Sequence, residues 1–342
     1  MDQHDFHSAA REGIFDRISA ELLTPENLSR PNSSGNTPLH MAAKYGSLRQ
    51  LPASGLTQSL LTLKNAAGYT PIHLAARSGH LDQIPLSILT RENLLLRSNS
   101  GYTPLHQAAA AGVLDQVSPE LLSVDIVLTK TDHGNTLLHE AAEAGTLDRF
   151  STRFVTENTL TVSNISGETV LHVAAFNGHL DQLPRALLTA EAILTKTANH
   201  DTCLHAAAIA GHLDQIPAEL LTHENLVLAS KSGHTPIHAA AESGHIQQIP
   251  RDRLTLDLLI SPNDFGDTPM HAAAVEGHLN CIPREFLTQA TMTVRNYNGG
   301  TPVGAAIRYG HTDQLPPEFV PKPPGAWQRF LDKIGFARPH LT

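Results

Sequence analysis

A Thr-Pro-(Leu/Ile)-His tetrapeptide or a close variant returns every 33 residues without insertion or deletion, and this fixed period limits the possible folds most strongly. Its histidine position falls at His7, His40, His73, His106, His139, His172, His205, His238, His271 and Gly304. Ten copies of one small unit fill nearly the whole chain, so each is expected to pack mainly on its neighbours. The expected organisation is one elongated repeat domain over residues 1–319, then a Pro-rich linker and helix over 320–342. Function in such an array resides on a long surface, and no single cleft is implied.

Composition narrows the classes of function. Hydrophobic residues make up 41% of the chain but aromatic ones only 5%, so the core must be built from Leu, Ile and Ala. A formal charge of −9 with no basic run argues against general nucleic-acid affinity and favours a basic or neutral protein partner. The two cysteines, Cys203 and Cys281, stand where sister copies carry Pro or Gln, which implies a reducing compartment and no disulfide framework. The charged start lacks the apolar run of a secretory signal, and no stretch is apolar enough to span a membrane. A monomer in the cytoplasm is expected, either of its own cell or of a host if the protein is translocated.

The copy beginning at Gly101 shows how one unit is built. Thr103 is suited to cap a helix, Pro104 fits the first helical position, and Gly112 supplies a left-handed stop after an Ala-rich stretch. In the preceding copy, Asp82 is expected to cap a second helix with Pro85 in its first turn. Ile84, Ile88 and Leu89 would face one side of it. Thr90 then caps a short third turn around Asn93 and Leu94. The polar link Asn65-Ala66-Ala67-Gly68 reads as a projecting turn, or finger.

The pattern Thr70-Pro71-Ile72-His73-Leu74-Ala75-Ala76, followed by Gly79-His80-Leu81, resembles the ankyrin repeat, and similar stretches recur over residues 1–319. The resemblance implies an all-α, ankyrin-repeat-type solenoid with short turn fingers and a C-terminal helix. It also implies that the motif histidine ties its turn to the next repeat by hydrogen bonds. The segment with Ile-Pro and Leu-Leu-Thr in place of the family's usual second helix is a systematic departure, so the outer row should differ in shape. Leu81-Asp82-Gln83-Ile84-Pro85 is also similar to leucine-rich repeats, but those have shorter periods and lack the Thr-Pro-Leu-His start.

Two ladders of titratable residues invite chemical readings. Fifteen of the 21 histidines fall in the motif or in the Gly-His-Leu positions His80, His179, His212, His245, His278 and His311. Neighbouring rungs should lie about 8–10 Å apart, too far for a shared metal ion, so they read as scaffolding. Asp82, Asp115, Asp148, Asp181, Asp214 and Asp313 are likewise too widely spaced for paired acid–base work and read as caps. No phosphate loop or isolated nucleophile occurs, so neither an enzyme nor a cofactor, metal site or catalytic residue is expected.

The positions that refuse to repeat point to the partner. Four residues after the motif histidine the chain carries Arg11, Lys44, Arg77, Ala110, Glu143, Phe176, Ile209, Glu242, Val275 and Arg308. Just before the motif threonine it carries Asn36, Tyr69, Tyr102, Asn135, Glu168, Asp201, His234, Asp267 and Gly300. Tyr and Arg dominate interface hot spots, so Lys44, Tyr45, Tyr69, Arg77, Tyr102, Asn135, Glu143, Glu168 and Phe176 are the candidate protein-binding residues. Leu137 and Val170 replace the motif proline, and Ser118 and Ser151 the later one, which reads either as a softer centre or as ordinary drift. In the tail, Trp327, Phe330, Leu331 and Ile334 are expected to form an apolar helical face opposite Arg329 and Lys333 that caps the last repeat, the sharper reading being a docking helix. The expectation is a scaffold that binds protein through a concave face. The alternative is an effector or regulatory protein whose tail docks on a partner or a membrane surface.

Overall fold

The computed structural model describes residues 6–320, and the expectations for Trp327, Phe330, Leu331 and Ile334 lie outside the described residues. Its regular elements are helical, with no β-strand among the described residues. The chain groups into two compact units, Met1–Ile165 and Ser166–Thr342. In the first, the long helices are α1 Phe6–Glu12, α2 Pro38–Tyr45, α3 Pro71–Ser78, α4 Pro104–Ala111 and α5 Leu137–Ala144. In the second they are α6 Val170–Asn177, α7 Cys203–Ala210, α8 Pro236–Glu242, α9 Pro269–Glu276 and α10 Pro302–Tyr309. Within each unit, consecutive members of these rows pack side by side.

Local chemistry sets both ends of each long helix. Thr103 caps α4 with its side chain, Pro104 occupies the first turn, and Gly112 stops the helix at φ 68°. A Thr cap is worth about 1 kcal/mol, and a left-handed residue closes the last carbonyls without Cβ strain. α5, α6 and α7 begin at Leu137, Val170 and Cys203, so they form without the proline. Ile72, Ala75 and Ala76 of α3 are fully buried, as are their counterparts Leu39, Ala42 and Ala43 of α2. Small Ala side chains let adjacent helices approach closely while Leu and Ile fill the space beneath.

The second helix expected from Asp82 does not form. Leu81–Gln83 is a single 3₁₀ turn preceded by His80, which makes no side-chain cap, and the chain is extended at Ile84, with φ −87° and ψ 134°. A residue before proline is disfavoured in the helical region, and Ile84 precedes Pro85. Val117 and Phe150 are extended as well although serine follows them, so tertiary contacts impose the same path. Ile84, Ile88 and Leu89 remain buried because an irregular chain can still turn them inward. Thr90 then caps the one-turn helix Arg91–Leu94 and accepts from the Asn93 N–H.

Asp82 therefore sits inside its turn rather than at a cap. Its carboxylate accepts from the Arg49 guanidinium at 2.5 Å, one of several exposed ion pairs between neighbouring repeats, as in Arg91–Asp125 and Arg284–Glu318. Such pairs add little each. The adjacent glutamine contributes more to the geometry. Gln116 donates to the Gly79 carbonyl at 2.9 Å, and Gln215 donates to the Gly178 carbonyl at 2.7 Å while its Oε1 accepts from the Leu180 N–H. Each clamps a helix end of the preceding repeat.

Candidate functional site

The motif histidines are ties with a defined tautomer. His40 Nδ1 accepts from the Thr37 backbone N–H at 3.0 Å, so its proton resides on Nε2, which donates to the Tyr69 carbonyl at 3.0 Å. His73 reaches Tyr102 in the same way, His238 reaches Asp267, and His271 reaches Gly300. Burial pushes the pKa of His40, His73, His106 and His238 down to about 4. The second ladder also ties repeats, with His80 donating from Nδ1 to the Ala43 carbonyl at 3.1 Å. Among the described residues, no group of three His, Cys, Asp or Glu is placed to hold a metal ion.

The carbonyl held by each motif histidine belongs to the residue just before the next motif threonine. That is the finger position whose identity changes from copy to copy. Its main chain is held by the ladder, while its side chain differs from copy to copy.

In the first unit the candidate residues gather in two neighbourhoods. Lys44, Tyr45 and Arg77 are exposed on the last turns of α2 and α3, with the Lys44 ammonium 5.3 Å from the centre of the Tyr45 ring. Tyr69 and Tyr102 are half-buried on the fingers and set edge-on against His73 and His106. Tyr102, Asn135 and Glu143 surround a residue that sequence reasoning passed over, Glu140. Glu140 is 6% exposed, and Asn135 Nδ2 donates to its Oε1 at 3.1 Å. Burial raises its pKa to about 7, and the nearby charge of Glu143 pushes the same way. The Tyr102 hydroxyl, hydrogen-bonded to Glu140, is pushed up to about 12, chiefly by burial.

Asn135 also joins a finger-to-finger ladder, since its Oδ1 accepts from Asn164 Nδ2 at 3.1 Å, as Asn36 accepts from Asn65. Its side chain is thus partly structural. In the second unit, Glu168 is exposed, and Phe176 on the last turns of α6 is 52% exposed.

A cavity of about 910 Å³ opens in the second unit, bounded by the fingers around Asn263 and Asn296 and by the ends of α8, α9 and α10. None of the nine candidate residues lines it. Its origin lies one residue after the motif histidine. There α2 to α5 carry Met41, Leu74, Gln107 and Glu140, whereas the groove is floored by Ala272 and Ala305. Gly300 and Gly304, in place of a finger side chain and the tenth imidazole, also line the space. Shrinking side chains along this one position were the available signal.

A family model described as ankyrin repeats (3 copies) matches residues 171–249, and one described as ankyrin repeat matches residues 34–51 and 67–96. No curated protein matches the chain. Both matches cover the motif, the left-handed glycine and the inter-repeat histidine tie seen above, so these segments of the chain are ankyrin repeats.

Proposed function

We propose that this chain is a non-enzymatic scaffold that binds a partner protein through the face formed by its fingers and the last turns of its long helices. Ankyrin repeats generally mediate protein–protein interaction, and proteins built from them are typically non-enzymatic binding scaffolds. The observation that carries the reading is the division of labour within each repeat. The histidine ladder holds the main chain of the finger residue, and the side chain that varies projects beside the equally variable ends of α2 to α10.

The proposed contacts in the first unit are Lys44, Tyr45, Tyr69, Arg77, Tyr102, Asn135 and Glu143, with Glu168 and Phe176 in the second. Exposed Tyr and Arg side chains bring large contact area at low entropic cost. Cys203 is fully buried, with its thiol pushed up by desolvation, so it is an inert core residue suited to the cytoplasm. Among the described residues no helix is long and apolar enough to cross a membrane.

Affinity capture with the full chain and with a Lys44→Glu, Tyr45→Ala, Arg77→Glu variant tests the reading. These are exposed positions, so folding should change by no more than about 0.5 kcal/mol for each substitution. Loss of the captured partner supports the proposed face, and an unaltered capture profile counts against it.

A further inference from the structure

The groove of the second unit has a charge pattern as well as a volume. Glu242 ends α8, Glu276 ends α9, and Asp267 stands on the facing finger. Arg308 and Tyr309, at the end of α10, line the other end, with the guanidinium 5.7 Å from the ring centre. Three carboxylates therefore share the groove with one guanidinium, and the negative charge lies on the side of α8 and α9, away from α10. His234 Nε2 lies 3.0 Å from Glu242, and Asn296 donates to Asp267 at 2.6 Å, so two of the carboxylates are held in place. The acids are spread along the trough and do not converge, an arrangement suited to a multi-donor organic cation.

Aromatic side chains add a second and independent mark of an interface. Tyr309 is 53% exposed in the groove itself, and the fingers that wall it carry Phe265 at 62% and Tyr297 at 77% exposure. Such side chains are costly to leave in water and are enriched where proteins dock. The Ala272 and Ala305 floor leaves room for a main chain to lie between them and the fingers.

We propose that this groove binds an extended segment of a partner protein that sets a lysine or arginine among Glu242, Asp267 and Glu276 and an apolar side chain against Tyr309. The charge gradient orients the segment, with its basic residue towards α8 and any acidic residue towards Arg308. The inference deepens the scaffold reading and rests on it.

The test is an array of immobilised 12-residue peptides in which Lys, Arg, Gln or Glu occupies a central position beside Leu or Phe, probed with the full chain. Peptides with Lys or Arg should be retained, and those with Gln or Glu at the same position retained at least tenfold more weakly. Retention should fall with added salt. A Glu242→Gln, Glu276→Gln variant, altered only at exposed positions, should lose at least tenfold. Ala272→Leu with Ala305→Leu should abolish retention by filling the floor, and its folding is checked by circular dichroism. Indifference to the central charge, undiminished retention by either variant, or no retention of any peptide would overturn the proposal.

The chain's own basic tail is a competing occupant, tested by replacing Lys322, Arg329, Lys333 and Arg338 with Gln in the full chain. Retention that appears only in that variant assigns the groove to the tail and overturns a partner segment as occupant. If partner capture depends on Tyr45 while both groove variants behave as the parent chain, this inference fails and the scaffold reading stands. If nothing is captured on either face, the scaffold reading itself fails.

Discussion

His73 Nδ1 lies 2.8 Å from the Thr70 hydroxyl oxygen and accepts from the Thr70 backbone N–H at 3.1 Å, while its Nε2 donates to the Tyr102 carbonyl across the repeat boundary. His73→Ala leaves the Thr70 N–H without its acceptor and the Tyr102 carbonyl with only its bond from the Ser98 N–H. The unpartnered N–H costs about 1–3 kcal/mol and the lost carbonyl bond about 1 kcal/mol, so a loss of about 2–4 kcal/mol is expected in urea denaturation. His80→Ala, at a half-buried site with one bond to the Ala43 carbonyl, should cost about 1 kcal/mol. Equal losses for the two would contradict the distinction between the ladders.

The same ladder makes the fold sensitive to acid. His40, His73, His106 and His238 are lowered to about 4 from 6.5, and His172, His205 and His271 are lowered as well. Above pH 6.5 these groups are neutral in both states and cost nothing. As the pH falls from 6.5 towards 4 the unfolded chain takes up protons that the folded chain cannot, so stability drops throughout that window. Each of the four histidines lowered to about 4 contributes about 3 kcal/mol, and together they rival the stability of most domains. Helical circular dichroism should therefore collapse between pH 6 and 4; a signal that persists unchanged at pH 4 would rule this out.

Glu140 acts in the opposite direction. Its folded pKa, near 7, is above the ordinary 4.5, so its stabilising contribution is full below pH 4.5 and is lost as the pH rises through 7. Glu140→Gln keeps the neutral hydrogen-bonding form and should gain on the parent chain between pH 5 and 8, by up to about 3 kcal/mol. A parent and variant whose denaturation midpoints keep a constant separation over that range would show that Glu140 is ionised in the fold.

Finger spacing can be probed at two glycines with the same backbone sign. Gly101 has φ +78°, and a Cβ there would lie 2.6 Å from the Asp132 backbone nitrogen in the next finger; Gly310 has φ +88° and open space around it. Gly310→Ala should cost about 1 kcal/mol, the price of a left-handed alanine. Gly101→Ala should cost that amount plus the displacement of a neighbouring backbone. Similar urea midpoints for the two variants would mean that the fingers separate freely.

The long helices were legible because Thr103, Pro104 and Gly112 carry their start and stop within a dozen residues. The candidate face was legible in part. Lys44, Tyr45, Arg77, Glu143 and Phe176 do lie exposed on helix ends, but Tyr102 is also bound to Glu140 and Asn135 to Asn164. Glu140 was missed because its raised pKa comes chiefly from burial, which is set by the packing of two repeats and not by its place in the motif.

By itself the sequence determined the 33-residue period, the caps of α2 to α10, the Leu and Ala core and the structural use of the histidines, all of which follow from short-range rules repeated in phase. Only the tertiary structure decided that Asp82 pairs with Arg49 instead of capping, that the chain at Ile84 runs extended, and that a trough opens over Ala272 and Ala305. Those outcomes depend on atoms 29 to 37 residues apart meeting across a repeat boundary, where the volume of one side chain is set against the space its neighbours leave.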